Sequence, residues 1–178
     1  DILRKPVYRG SGLFPAIRTE QGSTRILFMG YWLMKRQIKE IGMLITLRDK
    51  LGKILNRHSL TITDSKAYRV ELDDLLIEAA WDESTFIGSL DIEIFSTRDL
   101  VFPFPAFVVN YYGDHHSGAV HTIGRVFNDI EDEQDNASIK VPESGFDILG
   151  GEEYDPFFAV TNGHTKLDNA HFDYKIVI

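Results

Sequence analysis

The chain has 178 residues, 43% of them hydrophobic and 26% charged, with a formal net charge of −8 and no cysteine. A chain of this size buries about 70% of the surface its unfolded form exposes, so one ordinary core can hold it together. The acidic balance argues against broad nucleic-acid binding and against anionic membranes, because both need a basic face. The missing cysteines exclude disulfides, thiolate metal sites and a cysteine nucleophile.

No apolar run reaches the roughly 18 residues of a membrane span, and no signal peptide is visible. A secreted protein of this size does not need disulfides, so the lack of cysteine only tilts the expectation toward the cytoplasm. The sequence opens on Asp1 rather than Met, and Lys175-Ile176-Val177-Ile178 has the pattern of a strand interior. A fragment of a longer chain is expected on both grounds.

In chain order, Thr24 to Met34 is rich in aromatic and branched residues and lacks helix-start signals, which predicts a strand buried on both faces. Ile41, Met43, Ile45 and Leu47 alternate as a second strand. Asp49-Lys50-Leu51-Gly52 supplies turn chemistry, and Leu60 to Thr63 is a further short strand. From Tyr68 to Ala80 the pattern is mixed. Val70 and Leu72 alternate like a strand, whereas Leu72, Leu75, Leu76 and Ala79 form a helical stripe, so a strand running into a helical turn is expected. Ser89 to Ser96 is the clearest strand, with Leu90, Ile92 and Ile94 inward and Asp91 and Glu93 outward. Pro103 and Pro105 bar a central strand locally. Phe107 to Tyr112 and Ala119 to Phe127 then resume the strand pattern. About seven short strands precede residue 128 with no βαβ rhythm, which predicts an all-β fold, an antiparallel sandwich of jelly-roll or immunoglobulin-like type.

The run Asp129-Ile130-Glu131-Asp132-Glu133-Gln134-Asp135-Asn136 repels itself and buries nothing. It divides the chain into a β-sandwich domain over 1–128, an acidic linker over 129–140 and a remainder over 141–178. The remainder carries strand patterns at Phe157 to Thr161 and Phe172 to Ile178, with an Asn162-Gly163 hairpin signal. These strands either extend the sandwich or begin a second β domain.

Three of the six histidines fall within seven residues, in Gly113-Asp114-His115-His116-Ser117-Gly118-Ala119-Val120-His121. Imidazoles with a carboxylate suit a divalent transition metal. His115, His116 and His121, with Asp114 as a fourth ligand, are therefore a candidate metal site. The spacing of two histidines one residue apart that cupin-type jelly rolls use is absent. Adjacent residues on a strand also face opposite ways, so a polar turn is the competing reading. His58, His164 and His171 are assigned to surface turns or strand ends. Gly-x-Ser-x-Gly is missing, which argues against a serine hydrolase, and no Gly-rich phosphate loop is present. The acidic run lacks the spaced ligands of a calcium loop.

Tyr31, Trp32, Trp81, Tyr111 and Tyr112 are candidates for a sugar or protein platform, with Tyr112, beside the histidine turn, the best placed to face a ligand. Three functions follow. The first is a non-catalytic binding or interaction module, without cofactor, that contacts a protein partner or a second copy of itself through exposed strand edges. The second is a metal-binding protein or enzyme using the histidines. The third is a carbohydrate-binding domain.

Overall fold

A computed structural model describes residues 7–98, 107–121 and 151–153, together with 100, 159 and 161. Its elements are β1 (Tyr8–Arg18), β2 (Gly22–Met29), α1 (Tyr31–Arg36), β3 (Ile41–Asp49), β4 (Ile54–Ile62), β5 (Ala67–Glu71), α2 (Leu72–Glu78), β6 (Phe86–Ser96), β7 (Phe107–Gly113) and β8 (Ser117–His121). They form two four-stranded sheets, ordered β1-β6-β3-β4 and β5-β2-β7-β8. Every pairing is antiparallel. The protein is thus an all-β antiparallel sandwich.

The alternation read from the sequence builds the core. In β3, Ile41, Met43, Ile45 and Leu47 are buried; in β6, Leu90, Ile92 and Ile94 are. Their register places Met43 beside Ile94 and Ile45 beside Ile92. The other sheet contributes Ile26, Phe28, Phe107 and Val109. Side chains on facing sheets interdigitate in this way because each strand shows one face to the core. Asp91 and Glu93 take the outward face of β6, where Glu93 pairs with Arg9 at 2.6 Å.

The strand-then-helix reading of Tyr68 to Ala80 matches β5 and α2. Asp73 and Asp74 occupy the first turn of α2, where carboxylates favour the helix dipole. Leu72, Leu75 and Leu76 are its buried stripe. At its far end Asn56 and His58 of β4 reach Glu78, at 2.9 and 3.1 Å.

Two local expectations are corrected, and one strand goes unpredicted. The strand from Thr24 to Met34 ends at Met29, and Tyr31 to Arg36 is helical, with a fully buried Trp32. Gly30, the N-cap residue of α1, marks the break, and a Cβ there would collide with the Asp64 carbonyl. The short strand expected at Leu60 to Thr63 is the end of a longer one, β4, which runs from Ile54 to Ile62 and leaves Thr63 outside. The first strand, β1, was not anticipated. Gly10, Gly12 and Pro15 hide its pattern, and Pro15 is tolerated because β1 is a sheet edge and needs no outward N–H partner. No described helix is long and apolar enough to cross a membrane. The bend at Pro103 and Pro105, the acidic linker, the Asn162-Gly163 hairpin and most of 141–178 lie outside the described residues.

Candidate functional site

Two turns meet at one end of the sandwich. The β1–β2 turn closes with the Thr19 N–H donating to the Gly22 carbonyl at 2.8 Å, and the β7–β8 turn with the Gly113 N–H donating to the His116 carbonyl at 2.9 Å. Gly22 and Gly113 are direct partners across β2 and β7. A Cβ on Gly22 would strike the Tyr112 carbonyl and come within 3.2 Å of His116 Nε2; one on Gly113 would strike the Gln21 carbonyl and the His116 ring. The imidazole of His116 therefore lies against a floor that only glycine leaves open.

From this end an open cleft of about 850 Å³ runs between β1 and β8. Its apolar walls are Leu13, Phe14, Ile17, Tyr111 and Val120, and its mouth carries Glu20, Gln21, Ser23, Tyr112 and His116. Ala159, from the far part of the chain, also lines it. The cleft exists because β1 and β8 each end a sheet, so neither has a second strand neighbour among the described residues.

Gly118 is paired with Tyr111, and Val120 with Val109. Paired residues share a face, so position 118 faces the same side as Tyr111 and Val120. A Cβ at Gly118 would meet nothing within 4 Å. Gly118 is exposed, so a side chain there would enter open space.

The outward face of the same sheet is polar. The Arg25 Nε donates to Asn110 Oδ1 at 2.8 Å, and its guanidinium lies 3.8 Å over the Tyr112 ring. The Tyr112 hydroxyl donates to Glu71 Oε2 at 2.8 Å. Arg69 reaches Glu71 at 3.0 Å. Asn110, only 7% exposed, donates to Ser117 Oγ at 2.8 Å and to the Gly118 carbonyl at 2.9 Å, which pins the edge strand β8 to β7. The Tyr112 hydroxyl is pushed up to about 12, first by burial, then by the hydrogen bond and charge of Glu71 and the charge of Asp73, with Arg25 opposing. Tyr111 is likewise raised to about 12 by burial.

The histidine cluster is spread out. Asp114 and His115 form the exposed tip of the β7–β8 turn and His116 its flank. His121 sits opposite Val108 at the other end of β8, roughly 13 Å along the strand from Ser117 at the usual rise per residue. Among the described residues no three His, Asp or Glu side chains are grouped to hold a metal. The structure does bring Tyr112 and His116 to one cleft.

The other aromatics are engaged within the fold. Tyr31 stacks on the buried Trp32 at 4.5 Å, Trp81 packs edge-on to Phe86 and donates its N–H to the Thr85 carbonyl, and the Tyr111 hydroxyl donates to the Pro15 carbonyl. Sequence reasoning missed Pro15, Arg25, Asn110 and Gly118. Asn110 carried a usable signal, an amide among apolar residues in the run Phe107 to Tyr112. Gly118 carried none, because its importance depends on β8 being an edge.

Compared with protein-family models, curated proteins and solved structures, the chain matches none.

Proposed function

We propose that the protein is a non-catalytic interaction module that receives an extended polypeptide segment as an added strand on β8. One comparison carries the reading. Among the described residues the two sheets have four edge strands, and three of them are defended in the usual ways, by charge or proline. β1 carries Arg9, Pro15 and Arg18; β4 carries Arg57; β5 carries Arg69 and Glu71. β8, Ser117-Gly118-Ala119-Val120-His121, carries neither a proline nor a lysine, arginine or carboxylate. It also borders the apolar cleft, across from the proline-bearing edge β1. In strand addition, main-chain hydrogen bonds supply affinity and pockets for alternate side chains supply specificity. The apolar cleft beside Val120 would serve as such a pocket, and the open space at Gly118 leaves the edge accessible.

The test is selection of heptapeptides from a displayed random library on the wild-type protein and on Gly118→Trp. The indole of the variant occupies the open space beside the edge and obstructs an incoming strand. Its melting temperature should stay within a few degrees of wild type, because a Cβ at 118 meets no atom. Peptides alternating apolar and polar residues should be enriched on the wild type and lost, at least tenfold, on the variant. Enrichment of no such peptide, or equal enrichment on both proteins, overturns the reading.

A further inference from the structure

We propose that the strand added on β8 is β8 of a second copy of this chain, paired antiparallel about a two-fold axis at Ala119. The inference rests on the reading of β8 as an edge that accepts a strand. All of its residues except the half-buried Val120 are exposed, so the edge is open. The backbone sets the register. The His116 carbonyl accepts from the Gly113 N–H, and the Gly118 carbonyl accepts from the Asn110 side chain, both at 2.9 Å. The even-numbered residues thus turn their polar groups toward β7. Antiparallel ladders alternate, so Ser117, Ala119 and His121 turn theirs outward. One two-fold register matches all three: Ala119 opposite Ala119, Ser117 opposite His121, and Gly118 opposite Val120. Each outward-facing pair then exchanges both of its main-chain hydrogen bonds.

The side chains fit that register. Gly118 and Val120 share one side of the strand, and as non-hydrogen-bonded partners their Cα atoms would lie about 4.5 Å apart. A Cβ at Gly118 meets nothing within 4 Å, so the isopropyl group of one copy covers the bare backbone of the other, twice by symmetry. On the opposite face the Ser117 hydroxyl accepts from Asn110 at 2.8 Å. Its own proton is left for the imidazole of His121 of the second copy. A two-fold axis also brings the charges of an edge toward their own like. β1, β4 and β5 carry arginines that oppose such pairing, whereas β8 carries no lysine, arginine or carboxylate. A strand this short buries less than a stable interface needs, so the dimer is weak and dissociates on dilution.

Ala119 is exposed and would meet its own copy, which permits a charge swap. Sedimentation equilibrium of the full wild-type chain should show a monomer and a dimer whose ratio shifts with concentration. Ala119→Lys and Ala119→Glu should each weaken the dimer several-fold, because like charges then sit directly opposite. An equimolar mixture of the two variants should restore it. Melting curves close to wild type check that each variant keeps the fold. The heptapeptides selected above, added in excess, should dissociate the wild-type dimer.

A wild type that stays monomeric at every concentration overturns the inference. So do charged variants that dimerise as the wild type does, a mixture no more associated than its components, and peptides that bind without dissociating the dimer. If the wild type is monomeric yet enriches heptapeptides, only the second copy is wrong and the strand-binding reading stands. If dilute, immobilised protein enriches none, the wider reading fails by itself, and rescue in the mixture would then show an edge that pairs with its own kind alone.

Discussion

The Tyr111 hydroxyl donates to the Pro15 carbonyl at 2.9 Å, joining an inner strand of one sheet to the edge of the other. Tyr111→Phe leaves that carbonyl without its donor and should cost about 1 kcal/mol, as single neutral hydrogen bonds do. Urea unfolding at neutral pH measures this as a lower midpoint with unchanged slope.

Alkaline pH tests the same region. Tyr111 and Tyr112 are both raised to about 12 from an ordinary value of 10.0, so the folded state holds their protons more tightly than the unfolded state does. Their contribution is fully present below pH 10 and is lost as pH rises from 10 through 12. The melting temperature should fall across that window, and the Tyr111→Phe, Tyr112→Phe double variant should fall less steeply. A parallel decline in both proteins would refute the assignment.

Asn110 holds the edge strand. Asn110→Ala removes the donor to Ser117 and Gly118 and the acceptor of Arg25. The expected loss is roughly 1–3 kcal/mol, the range for a nearly buried polar group whose partners are left unsatisfied. Amide hydrogen exchange should quicken in β8 before it quickens in β2.

Three glycines, in β2, β7 and β8, should separate sharply. Gly22→Ala and Gly113→Ala press a methyl into backbone carbonyls, whereas Gly118→Ala meets open space. The first two should lower the melting temperature by several degrees and displace the His116 ring, visible as a shift of its imidazole proton resonances. Gly118→Ala should melt as wild type does.

The histidine positions also make a prediction. Because His121 lies at the far end of β8 from His116, His121→Ala should leave any zinc-induced rise in melting temperature unchanged. Loss of such a rise in the variant would show that the two imidazoles share a metal.

Much of the sandwich was legible because β3 and β6 obey strict alternation, and one buried face per strand leaves few other arrangements. β1 escaped because two glycines and a proline removed the side chains that would have shown its period. The α1 segment escaped for a different reason. Tyr31-Trp32-Leu33-Met34 has strand-like composition, yet burial of Trp32 favours a short helix, an instance of packing overriding propensity. The cleft could not be read at all from local pattern. Its walls come from residues 13–17 and 111–120, and its existence follows from sheet order, which no single segment encodes.

Sheet order also bears on how the molecule is made. β1 pairs with β6, from Tyr8 opposite Ser96 to Arg18 opposite Phe86, and β2 pairs with β7, from Gly22 opposite Gly113 to Phe28 opposite Phe107. During synthesis the first two strands must wait for partners that leave the ribosome some seventy or more residues later. At translation rates of about 5–20 residues per second the wait lasts seconds. Such distant pairings also make for slow folding. Through that interval the apolar faces of β1 and β2 are without their final neighbours, and a nascent chain stalled before Phe107 is the species most in need of a chaperone.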